Sequence, residues 1–362
     1  GRSGAQRERK ARGRRQRQRW IRDRRKSIRA IGDARGQQAL WYQQVPEILR
    51  DLRTVAIIES TESSNRIEGV SVPPERLAPL VLKQTEPTSR SEQEIAGYRD
   101  ALALIHESGP DMPFTANVIR QLHGTICRYM ADPGGDWKHT SNNIVERHPN
   151  GTERVRFTPT PPHLTPMQIE TLSDRFAAAK ASGQEPLILI PLAILDFLCV
   201  HPFLDGNGRV GRLLTLMLLY QAGYEVGRYI SLERIIEQSK ETYYEALEAS
   251  SQGWHEARHD VMPWLNYFWG VLIRAYREFG ERTRAAKPQT HGSKSEQVRF
   301  IVLRQQTPFT LSEIEAQSLG VSRDMVRHVL RQMRDEQLVE VLGRGRGARW
   351  QLTRHTTGDT RD

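Results

Sequence analysis

The sequence predicts a mainly α-helical fold, with one β-hairpin between helices and a small second domain near the C-terminal end. Apolar residues recur at helical spacing over most of residues 38–284. An Asn-Gly pair at residues 150–151 separates two short alternating segments, which is the strongest short-range indication of a hairpin. The polar stretch AAKPQTHGSKSE at residues 285–296 has no periodicity and contains Pro and Gly, so we interpret it as a linker between domains.

The predicted helices follow one another closely before this linker. An apolar pattern extends from Gln38 to Ile67 and should stop sharply at Gly69, because glycine suits the position after a helix end and prolines follow it. The hairpin at residues 144–157 is expected to form an exposed flap, with an ordinary surface hairpin as the alternative. The other helices are expected at Ser91–His106, Thr115–Met130, Leu164–Ala181, Leu187–Val200 and Val210–Ala222, with more helices up to Arg284.

Length and composition are typical of a soluble globular protein with two or three domains. The chain has 362 residues, of which 38% are hydrophobic and 27% charged. Its longest apolar stretch, residues 187–200, contains Pro191 and Asp196 and is shorter than the ~20 residues of a membrane helix, so no membrane segment is expected. No apolar segment follows the basic N-terminal residues, so no secretory signal is expected either. Cys127 and Cys199 are predicted to be reduced core residues of a cytoplasmic protein.

The positive charge is concentrated at the N-terminal end. Residues 1–36 contain 15 Lys and Arg residues against 3 Asp and Glu, which is +12, whereas the whole chain carries +10. We expect residues 1–38 to form a basic arm that could neutralise the phosphates of nucleic acid or of another anionic surface. A solvated leader with no binding role is the alternative.

The stretch HPFLDGNGRVGR, residues 201–212, concentrates side chains that could carry chemistry. His201 follows an apolar helix, where a side chain can emerge from the core, and the DGNG turn leads directly into the next helix. The backbone N–H groups of Gly206, Asn207 and Gly208 would then lie at a helix N-terminus, where unpaired donors and the positive end of the helix dipole bind anions. This placement predicts a phosphate site.

The charged side chains around this turn extend the prediction to a polyphosphate and a metal ion. Arg209 and Arg212 share a helix face, and two guanidinium groups beside an anion site fit a polyphosphate better than a single carboxylate. Asp205 could bind Mg²⁺ together with phosphate oxygens, and His201 could take a proton from an attacking hydroxyl. Together these residues predict phosphoryl or nucleotidyl transfer. Each alone has an ordinary interpretation: a capping histidine, a simple turn, or solvent-facing arginines.

The same stretch resembles, position for position, the HxFx(D/E)GNGRxxR motif of the Fic family, whose members mostly transfer AMP from ATP to a Ser, Thr or Tyr hydroxyl of another protein. The resemblance implies a Fic-type helical core in which the hairpin is a flap that holds the target segment as an added strand. It also implies individual roles: His201 as general base, Phe203 as a buried anchor, Asp205 as Mg²⁺ ligand, Gly206, Asn207 and Gly208 around the α-phosphate, and Arg209 with Arg212 on the β- and γ-phosphates.

A second segment, SNRIEG at residues 64–69, is similar to the inhibitory motif (S/T)xxxE(G/N) of the family. This resemblance implies the class with an N-terminal inhibitory helix, in which Ser64, Glu68 and Gly69 are the inhibitory residues and Glu68 lies against Arg212. A carboxylate on Arg212 would remove a partner of the γ-phosphate and leave the α-phosphorus poorly placed for in-line attack. A solvated helix end is the alternative, because such short patterns occur by chance.

A third segment, SLERIIEQSKETYYEAL, is similar to the family segment that ends in a Tyr-Tyr pair near the adenine pocket. The resemblance implies nucleotide contacts for Tyr243 and Tyr244, with simple packing of both rings as the alternative. Ser239 stands where many members have Asn, so the contact with the base and the choice of nucleotide stay open. The resemblance covers roughly residues 40–285.

Residues 298–354 predict a second domain of three helices and two strands. Val326, Leu330 and Met333 form the expected buried face of its third helix, and basic residues lie on a separate face. Helix, helix, turn, basic helix and hairpin resemble a winged helix-turn-helix domain, whose third helix would enter the major groove of DNA. Protein interaction is the alternative. The DNA-binding candidates are Arg323, Arg327 and Arg331 in this helix and Arg344 and Arg346 in the wing.

These expectations combine into one organisation and one function. The expected function is transfer of AMP from Mg²⁺-ATP to a hydroxyl side chain of a protein, which could be the chain itself, with activity held low by Glu68. Three alternatives stay open: transfer of another nucleotide, removal of AMP at the same site, and DNA-binding regulation with a nucleotide-sensing core. A homo-oligomer is also compatible with the sequence. The expected order is a basic arm (1–38), an N-terminal helical region with the inhibitory helix (39–94), a Fic catalytic core (95–285), a linker (286–297), a winged helix-turn-helix domain (298–354) and a polar tail (355–362).

Overall fold

The chain divides into two compact units, Gly1–Arg284 and Ala285–Asp362. The structure is a computed structural model that describes residues 26–38, 46–147, 152–286, 294–303, 305, 307–318, 321–343 and 348–353. Helices dominate both units, so the expected mainly helical fold is confirmed, and a hairpin lies where the sequence predicts one.

The first unit contains eleven described helices and one described hairpin. The hairpin strands are β1 (Ile144–Arg147) and β2 (Glu153–Phe157). The helices are α1 (residues 26–38), α2 (Pro46–Ile67), α3 (Pro74–Val81), α4 (Arg90–Ser108), α5 (Ala116–Ile126), α6 (Thr165–Ala181), α7 (Pro186–Val200), α8 (Asn207–Gln221), α9 (Leu232–Glu237), α10 (Lys240–Ser251) and α11 (Met262–Ala286).

The core of the first unit forms around α7, which is apolar along nearly its whole length. Its buried side chains pack against α6 and α8. Two tryptophans of α11 fix it from another side: Trp264 and Trp269 each donate an indole N–H to an α7 carbonyl, of Pro191 and Leu187 respectively, at 2.7 Å. Because α7 is packed on several sides, its C-terminal end is a rigid base for the loop that follows.

The ends of the helices show how local sequence sets the loop positions. The α2 helix ends at Ile67, and Gly69 has a φ of 85°, which fits the expected glycine stop. The α8 helix begins at Asn207, three residues earlier than expected, because Gly206 with its φ of 78° turns the chain and Asn207 already has helical geometry. Conversely, α5 ends at Ile126, short of the expected Met130.

The last third of the predicted basic arm, residues 26–38, is folded. Residues 26–38 form α1, and Ile31 is fully buried in the core of the first unit. The guanidinium of Arg35 lies 5.0 Å from the ring centroid of Tyr224, within cation–π range. An apolar residue between charged ones thus anchors this helix, whereas residues 1–25 lie outside the described residues.

The hairpin pairs β1 with β2 in antiparallel register and exposes apolar side chains. Val145 lies opposite Val155, and both side chains are exposed. Arg154 on β2 forms an ion pair with Glu248 of α10 at 2.7 Å, which ties the hairpin to the helical core. The turn with the Asn-Gly pair, residues 148–151, lies outside the described residues.

The described residues of the second unit form the helices α12 (Lys294–Leu303), α13 (Leu311–Gln317) and α14 (Arg323–Asp335). They also form the strands β3 (Phe309–Thr310), β4 (Val339–Leu342) and β5 (Arg349–Leu352), in a sheet of order β3-β5-β4. The helix α14 begins after Ser322, whose side chain accepts a hydrogen bond from Met325 N, and its buried residues include the expected Val326, Leu330 and Met333. The helix α12 begins at Lys294, inside the predicted linker of residues 286–297.

Two simpler expectations can be compared with the described residues. None of the helices described is long and apolar enough to span a bilayer. Both cysteines carry free thiols; Cys199 is buried as expected, whereas Cys127 is only half-buried.

Candidate functional site

The candidate site is the loop of residues 201–208 that joins α7 to α8. His201 caps α7 in the left-handed region with a φ of 51°, and its backbone N–H donates to Phe197 O at 2.9 Å. Its Nδ1 lies 3.2 Å from Leu198 O. A carbonyl oxygen only accepts, so Nδ1 carries the proton and Nε2 keeps its lone pair. The loop therefore presents a histidine in the tautomer that a general base needs.

Burial keeps the His201 imidazole neutral. Its pKa is lowered from 6.5 to about 4, first by burial and further by the charge of Lys138, while the bond to Leu198 O opposes the shift. Lys138 is itself buried, and its Nζ donates to Val200 O at 3.1 Å. At neutral pH the ring is thus ready to accept a proton rather than already charged.

The centre of the loop is held by stacking and by one buried amide. Phe203 is fully buried, as expected for an anchor, and stacks on His123 with ring centroids 3.8 Å apart. The side chain of Asn207 bonds to Phe203 in both directions, accepting from its N–H at 2.9 Å and donating to its carbonyl at 2.8 Å. Asn207 therefore contributes its side chain to loop geometry, and only its backbone N–H faces the helix N-terminus.

Three residues that the sequence did not single out also hold the loop. His123 of α5 accepts from Gly135 N at Nδ1, so its Nε2–H donates to Asp205 O at 3.1 Å. Asn142 donates to Phe203 O at 3.1 Å, and Lys138 contacts the end of α7 as described above. Their sequence neighbourhood gives no signal, because their partners lie about 60 to 80 residues further along the chain.

The two motif glycines are required by close approach. Gly206 has a φ of 78°, and a Cβ there would come 2.9 Å from Ile126 Cδ1. A Cβ on Gly208 would overlap Glu68 Oε1. The N-terminus of α8 therefore lies directly against the Glu68 carboxylate. One of the predicted anion donors is already used, since Gly206 N donates to Asp205 Oδ1 at 2.6 Å.

The position of Asp205 fits its predicted role as a metal ligand. Its side chain is 73% exposed, beside the N-terminus of α8, and its Oδ2 lies 3.4 Å from Arg209 Nη2. In the described part of the chain no three His, Cys, Asp or Glu side chains cluster closely enough to hold a metal ion. One exposed carboxylate beside a phosphate site fits Mg²⁺, which takes few protein ligands and completes its shell with phosphate oxygens and water.

The two motif arginines are buried and each is paired with a glutamate. Arg209 Nη1 donates to Glu94 Oε2 at 2.6 Å. Arg212 Nη2 donates to Glu68 Oε1 at 2.7 Å and to Ser64 O at 2.9 Å, and Arg212 Nε donates to Ser64 Oγ at 2.8 Å. Ser64, Glu68 and Arg212, which are far apart in the sequence, therefore form one cluster. The adjacent carboxylate raises the pKa of Arg212 despite its burial.

The tyrosine pair lies beside Arg212. Tyr243 is buried against Trp264 and Tyr267, with ring centroids 5.8 and 5.7 Å away, whereas Tyr244 is half-buried. Ser239, at the position where the base contact stays open, bonds the Tyr267 hydroxyl at 2.9 Å. Arg212 and these rings border a small cavity of about 30 Å³. Tyr243 thus packs in the core, and Tyr244 is the more accessible of the two.

Three of the five DNA-binding candidates of the second unit lie on the exposed face of α14. Arg323 is paired with Glu315 at 2.8 Å, and Arg327 with Asp324 at 3.0 Å. Arg331 is exposed. Arg344 and Arg346 lie outside the described residues.

Comparison with known proteins gives the site a family. Residues 113–219 match the model of the Fic/DOC family. This range contains the whole loop and most of α8. Residues 113–219 of the chain therefore contain a Fic/DOC domain.

Fic relatives match about half of the chain. Proteins named protein adenylyltransferase Fic from Drosophila ananassae and Drosophila yakuba are 27% and 30% identical to it over 181 residues, which is 48% of this chain and 31% of each relative. The chain thus spans about a third of the length of the curated relatives that it matches. Glu68, Glu94 and Tyr243 lie outside the family-model match.

Solved Fic structures share the fold. A Fic family protein from Desulfovibrio desulfuricans is 20% identical with a TM-score of 0.57, and covers 92% of this chain and 97% of its own. A Fic domain containing signaling protein from Bacteroides thetaiotaomicron is 22% identical with a TM-score of 0.59, and covers 72% of this chain and 98% of its own. At these identities the likeness concerns the Fic fold alone.

Proposed function

We propose that this Fic protein is a protein adenylyltransferase whose activity is restrained by Glu68. The observation that carries the proposal is the position of the Glu68 carboxylate. It pairs with Arg212 at 2.7 Å and lies against Gly208 at the N-terminus of α8, where a phosphate would bind. The bound carboxylate indicates that this position accepts an anion, and it would also keep a phosphate from binding there. The Drosophila relatives are named as adenylyltransferases, which supports AMP as the transferred group.

The proposed reaction uses the loop residues in the roles that the resemblance assigns. His201 Nε2 takes the proton of a Ser, Thr or Tyr hydroxyl, and the oxygen attacks the α-phosphorus of ATP. The bond to the β-phosphate bridging oxygen breaks, pyrophosphate leaves, and the target carries AMP as a phosphodiester. Bound to Asp205 and the phosphates, Mg²⁺ would neutralise their charge. The N–H groups of Asn207 and Gly208 and the guanidinium of Arg209 would orient the phosphates.

Glu68 restrains this reaction by occupying the second arginine. With Glu68 and Ser64 on Arg212, the γ-phosphate lacks its cation, and the carboxylate repels the incoming charge. ATP then binds displaced or not at all. Glu68 contacts Arg212 and Gly208, which are the residues that would bind the nucleotide phosphates. The proposed inhibition therefore requires no second site.

The target would bind at the hairpin. The strands β1 and β2 belong to the same unit as the loop and expose Val145 and Val155. They could accept an extended segment as an added strand. A segment of this chain is one such target, which would appear as self-modification. Free thiols at Cys127 and Cys199 fit the cytoplasmic location that we propose.

The test uses full-length Glu68→Gly protein with Mg²⁺ and ATP labelled at either the α- or the γ-phosphate. We expect the α-label, and not the γ-label, to appear on protein, and intact mass to increase by one AMP. A His201→Asn variant in the same background is the control, because asparagine tolerates the left-handed conformation but is no base. Transfer of the γ-label, or equal labelling with the control, would contradict the proposal.

The alternatives at the same site are separated by the donor and the direction of reaction. Parallel reactions with GTP, CTP and UTP measure the nucleotide preference that Ser239 leaves open. AMP-modified protein incubated with the parent chain measures removal of AMP. Faster labelling from another nucleotide, or loss of AMP that depends on Glu68, would favour those alternatives over adenylyl transfer.

A second candidate function is DNA binding by the second unit through a winged helix-turn-helix fold. The supporting observation is the row of exposed basic residues on α14, which lies opposite its buried face. Duplex binding should weaken on replacing Arg327 and Arg331 with alanine, and the slope of log K against log salt should fall by about one per lost phosphate contact. Binding that these substitutions leave unchanged would contradict it.

A further inference from the structure

Glu94 is a buried carboxylate on α4 that pairs with a motif arginine, and its Oε1 also lies 3.4 Å from Nε of Arg90. Its Oε2 accepts from Arg209 Nη1 at 2.6 Å, and the side chains of Glu94 and Arg209 are only 8% and 3% exposed. The other contacts of Arg209 are long: 3.5 Å to Asn65 Oδ1 and 3.4 Å to Asp205 Oδ2. Glu94 is therefore the one short hydrogen bond of this guanidinium within the described residues.

One edge of the buried Arg209 guanidinium, opposite the contact with Glu94, contains a donor that is unpaired within the described residues. Nε has no hydrogen-bond partner in the portion of the chain described, and Nη2 has only the long contact with Asp205. The N–H groups of Nε and Nη2 point the same way and form the fork that arginine uses for two oxygens of one phosphate. Asp205 is 73% exposed and can turn towards solvent. A phosphate could then take both donors while Glu94 keeps Nη1.

The contact of Arg209 with Glu94 is separate from the contact of Arg212 with Glu68. Glu94 belongs to α4, which follows its N-cap Ser89 and packs against α2, α5 and α8. Displacing Glu68 removes a partner of Arg212 but leaves the Glu94 contact untouched. Support for Arg209 thus comes from the core of the first unit.

From these contacts we propose that Glu94 is a positioning residue that holds Arg209 with its Nε–Nη2 edge directed at the nucleotide phosphates. This inference rests on the proposed nucleotide site and goes beyond it, since Glu94 lies outside both the loop and the inhibitory motif. What matters in this role is an oxygen acceptor at the correct distance, more than its charge. Shortening the side chain should therefore harm phosphate binding, whereas removing its charge should harm it less.

The chain offers a matched control two residues away. Glu92 is also a buried carboxylate on α4, and it pairs with Arg76 at 2.7 Å, away from the loop. Substitutions at Glu92 and Glu94 therefore disturb similar ion pairs on the same helix. Only those at Glu94 should affect the nucleotide.

The experiment measures binding of ATP and of adenosine by calorimetry, in the Glu68→Gly background and without added metal. Four further substitutions are compared: Glu94→Asp, Glu94→Gln, Glu92→Asp and Glu92→Gln. We expect Glu94→Asp to weaken ATP binding by about tenfold, the size of one hydrogen bond to a charged group. Glu94→Gln should stay within about threefold of its parent, and adenosine binding should be unchanged throughout. Neither Glu92 substitution should alter the ratio of ATP to adenosine affinity.

The outcomes separate this inference from the proposed function. If the Glu68→Gly parent binds ATP no more tightly than adenosine, the proposed phosphate site is wrong and the inference falls with it. If the parent prefers ATP but Glu94→Asp keeps that preference, the inference alone is wrong. It is also wrong if Glu94→Gln loses ATP affinity and Glu94→Asp does not, because charge and not position would then be the cause.

Discussion

The two arginine–glutamate pairs on α8 have the same chemistry, and we propose opposite roles for them. The shortest N–O distances are 2.6 Å for Arg209 with Glu94 and 2.7 Å for Arg212 with Glu68, and both guanidinium groups are buried. Glu94, in the core-facing pair, is only 8% exposed, whereas Glu68 is 28% exposed. One glutamate is part of the packed interior and the other borders the site. From this difference we infer two roles for a buried ion pair: a supporting pair holds an arginine in position, and a blocking pair occupies a binding site until its carboxylate moves away.

The guanidinium atoms used by each pair make the same distinction. Glu94 binds Nη1 of Arg209 and leaves the Nε–Nη2 edge for a ligand. The inhibitory segment binds Nε and Nη2 of Arg212, through Ser64 and Glu68, and so fills the edge that a phosphate would use. In this structure, therefore, Nε of Arg209 is buried without a hydrogen-bond partner in the described residues, whereas Nε and Nη2 of Arg212 are both bonded.

Removing the base should have the largest effect, because it stops the chemistry while both pairs remain intact. His201→Asn in the Glu68→Gly background should lower the rate of AMP transfer by about 10²- to 10⁴-fold, the usual contribution of a general base. ATP affinity should change little, since neither arginine is touched. A variant that keeps the parental transfer rate would show that the pairs alone account for activity and that His201 is not the base.

Stability should separate the two pairs next. Glu94→Ala leaves Arg209 buried without its short partner and should lower the free energy of unfolding by about 3–5 kcal/mol. Glu68→Ala should cost about 1 kcal/mol, because Glu68 is partly exposed and Arg212 keeps both bonds to Ser64. Urea denaturation of the whole chain, followed through the transition of the first unit, measures both losses of unfolding free energy. Equal losses would contradict the distinction between a supporting pair at Arg209 and a blocking pair at Arg212.

A smaller effect should follow from loosening the end of the inhibitory helix. Lys240 Nζ donates to Ile67 O, the last carbonyl of α2, at 2.7 Å. Lys240→Met removes a hydrogen bond of about 1 kcal/mol and should raise AMP transfer by the otherwise unaltered chain about fivefold. Lys180→Met, which removes an exposed bond to Gln221, is the control. Equal rates in the two variants would mean that the contact does not hold Glu68 in place.

The smallest effect should be that of pH near neutrality. Burial lowers the pKa of His201 to about 4, and a general base acts when it is neutral, so activity is present above that pKa and is lost below it. With saturating Mg²⁺-ATP, kcat of the Glu68→Gly variant should be nearly constant between about pH 5 and pH 8. A decrease centred near 6.5, the ordinary histidine pKa, would show that the site leaves His201 solvated.

How much of this site was predictable depends on the range of the interaction. The dense local sequence at residues 201–212 predicted the loop, and the resemblance of residues 64–69 to the inhibitory motif of the Fic family predicted the contact of Glu68 with Arg212. Glu94 and His123 gave no such signal, since a lone buried carboxylate or histidine on a helix has many ordinary explanations. Their partners lie 115 and 82 residues away, and only the packing of α4 and α5 on the loop brings them together.

The fold shows the same pattern. Helical periodicity and the Asn-Gly turn predicted most elements, and Gly69 marked the end of α2. The basic arm was only partly foreseen: its charge density predicted an anion-binding arm or a solvated leader, but residues 26–38 form a helix with Ile31 in the core. One apolar residue among many charges is too weak a local pattern, and its effect depends on the surface that receives it.

The most direct test of the account is the initial rate of label transfer from α-labelled ATP, measured side by side for the parent chain, Glu68→Gly and Glu92→Gln. If Glu68 blocks the phosphate site, Glu68→Gly should transfer label about tenfold faster than the parent or more, the equivalent of losing one charge-assisted hydrogen bond. Glu92→Gln, which loses a comparable buried carboxylate, should match the parent. A Glu68→Gly rate equal to that of the parent would contradict the account.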